Sequence, residues 1–333
     1  MTFFQAVKLH VLGPLFGLAC LVKSLFLPRS LSQLRYGHPI RPRLPTYIGW
    51  GQAVHPDILQ PDGTDRPFVL AFTPYPFQID AFENPSIVVS NDGLRFRTER
   101  KGINPLVPAP PVDHNNDPDI LMWAGSYCLY YLETLRPERQ NLVLLRSTDR
   151  LSWTRITVLS YDLRGPLPEP LIVSPALSSR GDTLFLHYVN VRTRPHRIEF
   201  LTSRDPSAWE KSAARPAVFD HLAVEPWHID VSEAYGYYYM LVCAVSKTQG
   251  ERKEYDLYIA RSTDLEHWTF GARPVFIKKP FRTRTIYRSS GFVQDGDLFV
   301  YFCYESPFFG AWWIGIVRNR LEEFFPAPLH VEG

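Results

Sequence analysis

The sequence predicts an all-β fold: a five-bladed β-propeller of four-stranded antiparallel blades over residues 46–333, preceded by an N-terminal apolar leader or helix over residues 1–45. Three observations predict it. A pattern of about 50 to 60 residues recurs five times after the leader, which marks a repeat architecture. Short apolar runs rich in β-branched and aromatic residues fill each repeat, with 30 Pro and 19 Gly spread between them. A Ser-x-Asp turn with an aromatic four residues after the Asp returns as Ser90/Asp92/Phe96, Ser147/Asp149/Trp153, Ser203/Asp205/Trp209 and Ser262/Asp264/Trp268, its aspartates 57, 56 and 59 residues apart.

Each copy of that turn follows a strand-like run (PSIVVS, NLVLLRS, RIEFLTS, DLYIARS). The Asp and Ser side chains are expected to bond the turn backbone while the aromatic returns to the core, so these aspartates are read as structural. Upstream lies a second hairpin with a short opening motif: HPDIL (55–59), DPDIL (117–121), SPALS (174–178), HIDVS (228–232) and RSSGF (288–292). Two hairpins make one blade, and blades at about 50–105, 113–165, 172–218, 225–276 and 284–325, closed in a ring, leave few exposed edges. The fifth repeat runs on through WWIGIV without the Ser-x-Asp turn, so its outer strand is expected from a chain terminus.

Composition narrows the function. A 45% hydrophobic, 14% aromatic chain has ample core, and 36 Lys and Arg against 34 Asp and Glu leave no global field for nucleic acid. Ligands must be recognised locally. Cys20, Cys128, Cys243 and Cys303 show no metal spacing and read as buried thiols rather than a disulfide framework.

The leader, residues 3–27, is apolar but interrupted by Lys8, His10, Pro14 and Lys23 and followed by Arg29, Arg35, Arg41 and Arg43. Its uncharged stretch, 11–22, is too short to span a bilayer. An export signal, an uncleaved amphipathic anchor with basic flanks, and a helix packed on the propeller all fit. The corresponding locations are the cell envelope, secreted or periplasmic, with cytoplasmic membrane association as the alternative.

Aligned on the Gly of the first hairpin, one opening position reads His55, Asp117, Ser174, His228, Arg288, and the position two residues on reads Asp57, Asp119, Ala176, Asp230, Ser290. Residues two apart share a strand face, so these groups are expected to converge at the axis. The inner positions vary from blade to blade while the outer turn stays constant, which points to function at the openings. Tyr75, Asp80 and Glu83, Asn116, Glu225 and Trp227, and Tyr287 flank the same region. Aromatic rings beside carboxylates suit sugar rings, and crowded carboxylates separate in pKa, which suits one as acid and another as base.

The DPDIL opening with GSYCLYYLE, and the STDRLSW and STDLEHW turns, resemble the five-bladed propeller glycosidase superfamily of arabinanases, β-xylosidases and fructan-processing enzymes. The strings WGQAVHPDIL, DAFENPSIVVSNDG, NNDPDIL, WHIDV and YRSSGF are similar to bacterial and phage proteins associated with surface-polysaccharide loci. The resemblance implies an inner Asp as base or nucleophile and a second Asp tuning it, roles that Asp57 and Asp119, or Asp117, match by position. It also implies a Glu acid at the opening of blade 3, where this chain has Ser174, Pro175 and Ala176. Either Glu83, Glu225 or Asp230 replaces it, or the chemistry differs.

The expected activity is thus glycoside hydrolysis on a bacterial surface or exopolysaccharide, with Glu83 or Asp230 protonating the leaving oxygen and Asp57 or Asp119 as base or nucleophile. His55, His228 and Arg288 are expected to hold hydroxyls or a sugar carboxylate. The alternative is a non-catalytic glycan-binding propeller or assembly factor in polysaccharide biosynthesis. No cofactor is expected; a divalent metal at the axis, on Asp117, Asp119, Asp230 and the histidines, is the less favoured option.

Overall fold

A computed structural model describes residues 5, 7–61, 66–164, 169–220, 224–249, 252–283, 285–307 and 310–326. Residues 3, 4 and 6 of the leader lie outside the described residues. Blade 1 comprises β1 (Ala53–Leu59), β2 (Phe68–Pro74) and β3 (Ser86–Ser90), and blade 2 comprises β4 (His114–Trp123), β5 (Ser126–Leu135), β6 (Arg139–Ser147) and β7 (Thr154–Asp162). Blade 3 comprises β8 (Ile172–Arg180), β9 (Thr183–Asn190), β10 (Arg197–Ser203) and β11 (Arg215–Pro216). In blade 4 the short β12 (Val218–Phe219) runs parallel to the outer edge of β13 (Glu225–Ala234), β14 (Tyr237–Gln249), β15 (Arg252–Ser262) and β16 (His267–Phe270). Blade 5 comprises β17 (Ile286–Gln294), β18 (Asp297–Glu305) and β19 (Trp312–Arg320).

Burial explains why these runs become strands of this kind. β5 is buried on both faces along most of its length because a neighbouring blade covers each face, so its sequence is nearly continuous in apolar residues. β7, at the rim, alternates between exposed and covered residues. The apolar side chains sort into clusters between adjacent blades, including one in which Phe292, Tyr301 and Ile316 of blade 5 pack on Leu70, Phe72 and Val88 of blade 1. That cluster closes the ring.

The N-terminal segment completes the closure. Ile40 and Ile316 exchange backbone hydrogen bonds (2.9 and 2.8 Å) and the Gly37 N–H donates to Arg318 O (2.9 Å), so the leader end lies on the outer edge of β19. The outer edge of blade 1 is likewise completed by isolated pairing, Val89 with Arg97. Ahead of this segment a helix, α1 (Gly13–Ser24), follows a π-helical turn and docks on the propeller; Gly13 and Gly17 leave no room for a β-carbon against Trp50 and the Gly49 carbonyl. No helix among the described residues is long and apolar enough to cross a membrane.

The Ser-x-Asp turns hold their own backbone. Asp264 Oδ1 accepts from Ser262 Oγ (3.0 Å) and from the N–H groups of Glu266 and His267 (2.9 and 2.8 Å), and Asp92 and Asp149 repeat the arrangement. Those bonds hold the Asp264 carboxyl below its usual range against the opposing effect of burial. Asp264→Ala is expected to cost about 1 kcal/mol in urea unfolding with turnover unchanged. A folded-state pKa below the unfolded value of about 3.9 means this contribution is present above that pH and fades as pH falls beneath it.

Candidate active site

The site begins with a backbone irregularity repeated in every blade. The pairing of the innermost strand with its neighbour shifts register between Val54 and Asp57, Asn116 and Asp119, Val173 and Ala176, Pro226 and His228, and Ile286 and Ser289. At three of these bulges the residue before proline sits at positive φ, His55 at 53°, Asp117 at 50° and Ser174 at 56°. A bulge re-aims the side chain it carries, and non-glycine residues held in this region are strained positions. The result is a ring of side chains, His55, Asp117, Ser174, His228 and Arg288, around the axis.

Asp117 is the hub of that ring. Its Oδ1 lies 3.5 Å from His55 Nε2, His228 Nδ1 and Arg288 Nη1, while Oδ2 accepts from Ser174 N (3.0 Å). His55 is oriented by a 3.0 Å contact between Nδ1 and Thr73 Oγ1, which turns Nε2 toward Asp117. His228 packs edge-on against Tyr287, ring centroids 4.3 Å apart, and the Trp227 indole N–H donates to the Tyr287 hydroxyl (3.2 Å). Burial pushes the imidazoles down, His55 to about 4 and His228 to about 3, so both are neutral near pH 7. The two histidines and Arg288 hold the Asp117 carboxyl below its usual range despite its burial.

Above this ring opens a cavity of 490 Å³ whose lining includes His55, Tyr75, Asp80, Glu83, Tyr287 and Trp312, with Asn116, His114, Gln78 and Glu305. Glu83 reaches it from the loop between β2 and β3, where its N–H donates to Asp80 O (2.8 Å) and its carbonyl accepts from Asn115 N (3.1 Å). Its side chain is buried, with Oε2 3.6 Å from His114 Nε2. Burial, and then the charges of Asp80, Asp117 and Asp113, push the Glu83 carboxyl well above its usual range. A carboxyl raised above its usual range thus faces the cavity beside one held below it, Asp117, that lies just beneath.

The ring two residues further along forms a second layer deeper along the strands. Asp57, Asp119 and Asp230 line a separate 240 Å³ cavity with Leu59, Met122, Ser178 and Phe292, and Glu83 does not reach it. Residues two apart do share a strand face, but the strand climbs about 3.3 Å per residue, so the two positions make stacked rings instead of one mouth. In the second ring each carboxylate is tied to the next blade: Asp57 Oδ2 accepts from Ile120 N (2.5 Å), Asp119 Oδ2 from Leu177 N (3.0 Å) and Asp230 Oδ2 from Gly291 N (3.3 Å). Ser290 Oγ accepts from Ile58 N (2.9 Å) and donates to Asp57 Oδ1 (2.9 Å). Ala176 has no such group, and Ser174 Oγ bridges that step by accepting from Ile229 N (3.0 Å). Burial and the mutual charge of the cluster raise Asp119 and Asp230 well above the usual range.

Six expected site residues, His55, Tyr75, Asp80, Glu83, Asn116 and Tyr287, therefore line one cavity, with Asp117 and His228 directly below. The expectation that Asp57, Asp119 and Asp230 join Glu83 at one mouth is corrected: they bind neighbouring blades. Arg288 is also corrected as a grip for a sugar carboxylate. It is fully buried, and its Nη2 lies 3.4 Å from Asp119 and donates to Pro175 O (3.0 Å). Glu225 and Trp227 stand one layer back, Glu225 3.5 Å from His196 and Trp227 behind Tyr287. His114, which precedes the opening of blade 2 in the sequence, also lines the cavity, whereas Gln78, Glu305 and Trp312 were missed; the aromatic pair in WWIGIV was the available signal for Trp312.

One pair of neutral imidazoles and a carboxylate is a donor set for a divalent transition metal. His55, Asp117 and His228 place one donor atom each within 4.8 Å of one another. Both ring nitrogens of His228 and Oδ1 of Asp117 are buried without a hydrogen-bond partner, which is what an ion there would satisfy. The set fits.

Acid titration reports on these buried imidazoles. His55, His187 and His228 lie at about 4, about 4 and about 3 in the folded chain against about 6.5 unfolded. The unfolded chain takes up protons first, so stability is complete above about pH 6.5 and is expected to decline below it, ahead of the turn carboxylates. Urea midpoints at successive pH values measure this, and a flat profile between 4 and 6.5 contradicts neutral buried rings.

No protein-family model matches the sequence. The A type blood N-acetyl-alpha-D-galactosamine deacetylase of Flavonifractor plautii is 37% identical over 75 residues, 21% of this chain and 10% of that protein, so the match spans a tenth of the relative's length. The crystal structure of an N-acetylgalactosamine deacetylase from F. plautii in complex with blood group B trisaccharide superposes with TM-score 0.71 at 20% identity, covering 87% of this chain and 96% of that one. The chain shares that five-bladed propeller fold. A thermostable family-43 glycoside hydrolase has TM-score 0.59 at 14% identity (81% and 89% covered), and an exo-1,5-α-L-arabinanase from a bovine ruminal metagenomic library has 0.56 at 14% (81% and 93%).

Proposed function

We propose that the protein is a glycan-acting hydrolase whose chemistry takes place at Glu83 and the His55–Asp117–His228 centre. The observation that carries this is the juxtaposition of a buried Glu83, its carboxyl raised well above the usual range, with the His55–Asp117–His228 cluster, in which both ring nitrogens of His228 and Oδ1 of Asp117 lack hydrogen-bond partners, at the base of a cavity lined by Tyr75, Tyr287 and Trp312. The aromatic walls offer stacking surfaces to the apolar faces of sugar rings, and Asp80, Asn116, Gln78 and Glu305 offer partners to hydroxyls.

The bond favoured by the donor set is the N-acyl amide of an amino sugar. Hydrolysis adds water across the C–N bond: the hydroxyl joins the acyl carbon, and the nitrogen leaves as an amine with the proton that Glu83 is placed to carry. A divalent metal on His55, Asp117 and His228 would supply Lewis acidity to the acyl oxygen or the attacking water. Tyr287 and Trp227 keep His228 in place, and Thr73 keeps His55 in place. The likeness to the deacetylase, whose TM-score exceeds those of the two glycosidases, supports the same choice.

Glycosidic cleavage is the second reading, favoured by the opposite pKa shifts of Glu83 and Asp117, which would make them acid and base. A panel of N-acetylhexosamine oligosaccharides separates the two: acetate release lost on chelation and restored by metal supports the amide reading, and new reducing ends supports the glycosidic one. Binding with neither product overturns both in favour of a glycan-binding propeller.

A further inference from the structure

The helix α1 carries two apolar stripes, and only one is used by the fold. Leu9, Gly13, Phe16, Cys20 and Ser24 face the propeller, with Phe16 edge-on to Trp313 at 5.7 Å and 6.0 Å from Phe77. The opposite stripe is exposed: Val11 55%, Leu15 60%, Leu18 60%, Val22 47% and Leu25 75%, with Phe26 at 84% just beyond the helix. A helix lying on a protein surface in water normally turns polar residues outward, so this outer stripe lacks its own partner.

Charge identifies the partner. Residues 1–56 contain no Asp or Glu, and residues 1–45 contain six Lys and Arg. Lys23, Arg29, Arg35 and Arg43 are exposed, Lys23 and Arg29 at the same end of the helix as Leu25 and Phe26. The helix is too short to cross a bilayer. An apolar stripe in a segment whose Asp- and Glu-free sequence carries only basic charges, on a helix that cannot span, matches the interface of an anionic bilayer, where apolar side chains enter the acyl boundary and basic ones meet headgroup phosphates.

We propose that α1 seats the propeller on one leaflet of an anionic membrane. Arg41 extends the surface sideways, with its guanidinium over Trp313 (4.5 Å), on which Phe16 packs, and over the exposed Phe281 (5.6 Å).

Co-sedimentation of the full chain with vesicles tests this independently of any turnover. Wild type is expected to bind phosphatidylcholine vesicles holding about 30 mol % phosphatidylglycerol and to bind pure phosphatidylcholine at least about tenfold more weakly. Leu18→Glu/Leu25→Glu, whose side chains point away from the propeller, is expected to lose about tenfold or more in partitioning with an unchanged Tm. Lys23→Glu/Arg29→Glu, which leaves the apolar stripe intact, is expected to lose several-fold, as is wild type at about 0.5 M salt. Wild type that stays in the supernatant, or equal binding by the Leu18/Leu25 variant, overturns the proposal. So does a wild-type dimer by light scattering that the Leu18/Leu25 variant converts to monomer without vesicle binding, which would assign the stripe to a second copy.

Discussion

Glu83→Gln is expected to lower kcat by about two to four orders of magnitude while leaving Tm and KM nearly unchanged. The amide keeps the shape of the side chain and the backbone bonds of its loop, Asp80 O and Asn115 N, which do not involve the carboxyl. It cannot deliver a proton. The pH profile carries the sharper signature. Because burial and the neighbouring acids push the Glu83 carboxyl well above its usual range, wild type is expected to keep the proton to higher pH than an ordinary carboxyl and to lose rate as pH rises through that elevated value. On the acid side the limit is protonation of His55 and His228 at about 4 and about 3, which removes neutral imidazole donors from the centre. Glu83→Gln is expected to abolish the basic limb and keep the acid one. An unchanged basic limb assigns the proton to another group.

The second large effect concerns stability. Asp119→Ala is expected to cost about 2–4 kcal/mol, because it takes one polar partner from the fully buried Arg288, whose other carboxylate partner is Asp117, and strands the Leu177 N–H. In thermal unfolding of a chain this long that is a drop of roughly 3–6 °C. Asp119→Asn is expected to be far milder, within about 1 kcal/mol, since crowding already favours the neutral carboxyl and the amide oxygen can still accept from Leu177. Differential scanning calorimetry on the pair measures the contrast. Equal losses in both variants would mean that the charge of Asp119, and not its hydrogen bonds, holds blades 2 and 3 together.

The parts of this fold that were legible in the sequence are those whose physics is local. Ser262, Asp264 and Trp268 lie within one turn, so the same bonds recur wherever the same spacing does, and the repeats could be counted from them. The missing turn of the fifth repeat likewise pointed to an outer edge completed from a terminus, and the N-terminal segment covers that edge through an isolated bridge from Ile40 to Ile316 rather than a full strand. The openings were legible as a set but not as two layers. A period of two says that His55 and Asp57 share a face; it does not say that the bulge between Val54 and Asp57 turns His55 toward one cavity while Asp57 reaches across to Ile120. Arg288 shows the same limit, because an arginine at a strand start reads as surface chemistry until Asp117 and Asp119, from a distant blade, are seen around it. Glu83 was recognised because carboxylates and aromatics crowd its own loop, whereas Glu305 and Trp312 enter the cavity from the far end of the chain.

That separation into a reactive ring and a structural ring is open to one direct comparison, the turnover of Asp57→Asn against Glu83→Gln on whichever glycan wild type hydrolyses, normalised to folded protein. With the chemistry at Glu83 and the His55–Asp117–His228 centre, Asp57→Asn keeps kcat within about threefold while Glu83→Gln loses at least about a hundredfold. A collapse of kcat in folded Asp57→Asn, with Glu83→Gln still active, would place the reaction in the second ring and contradict the account.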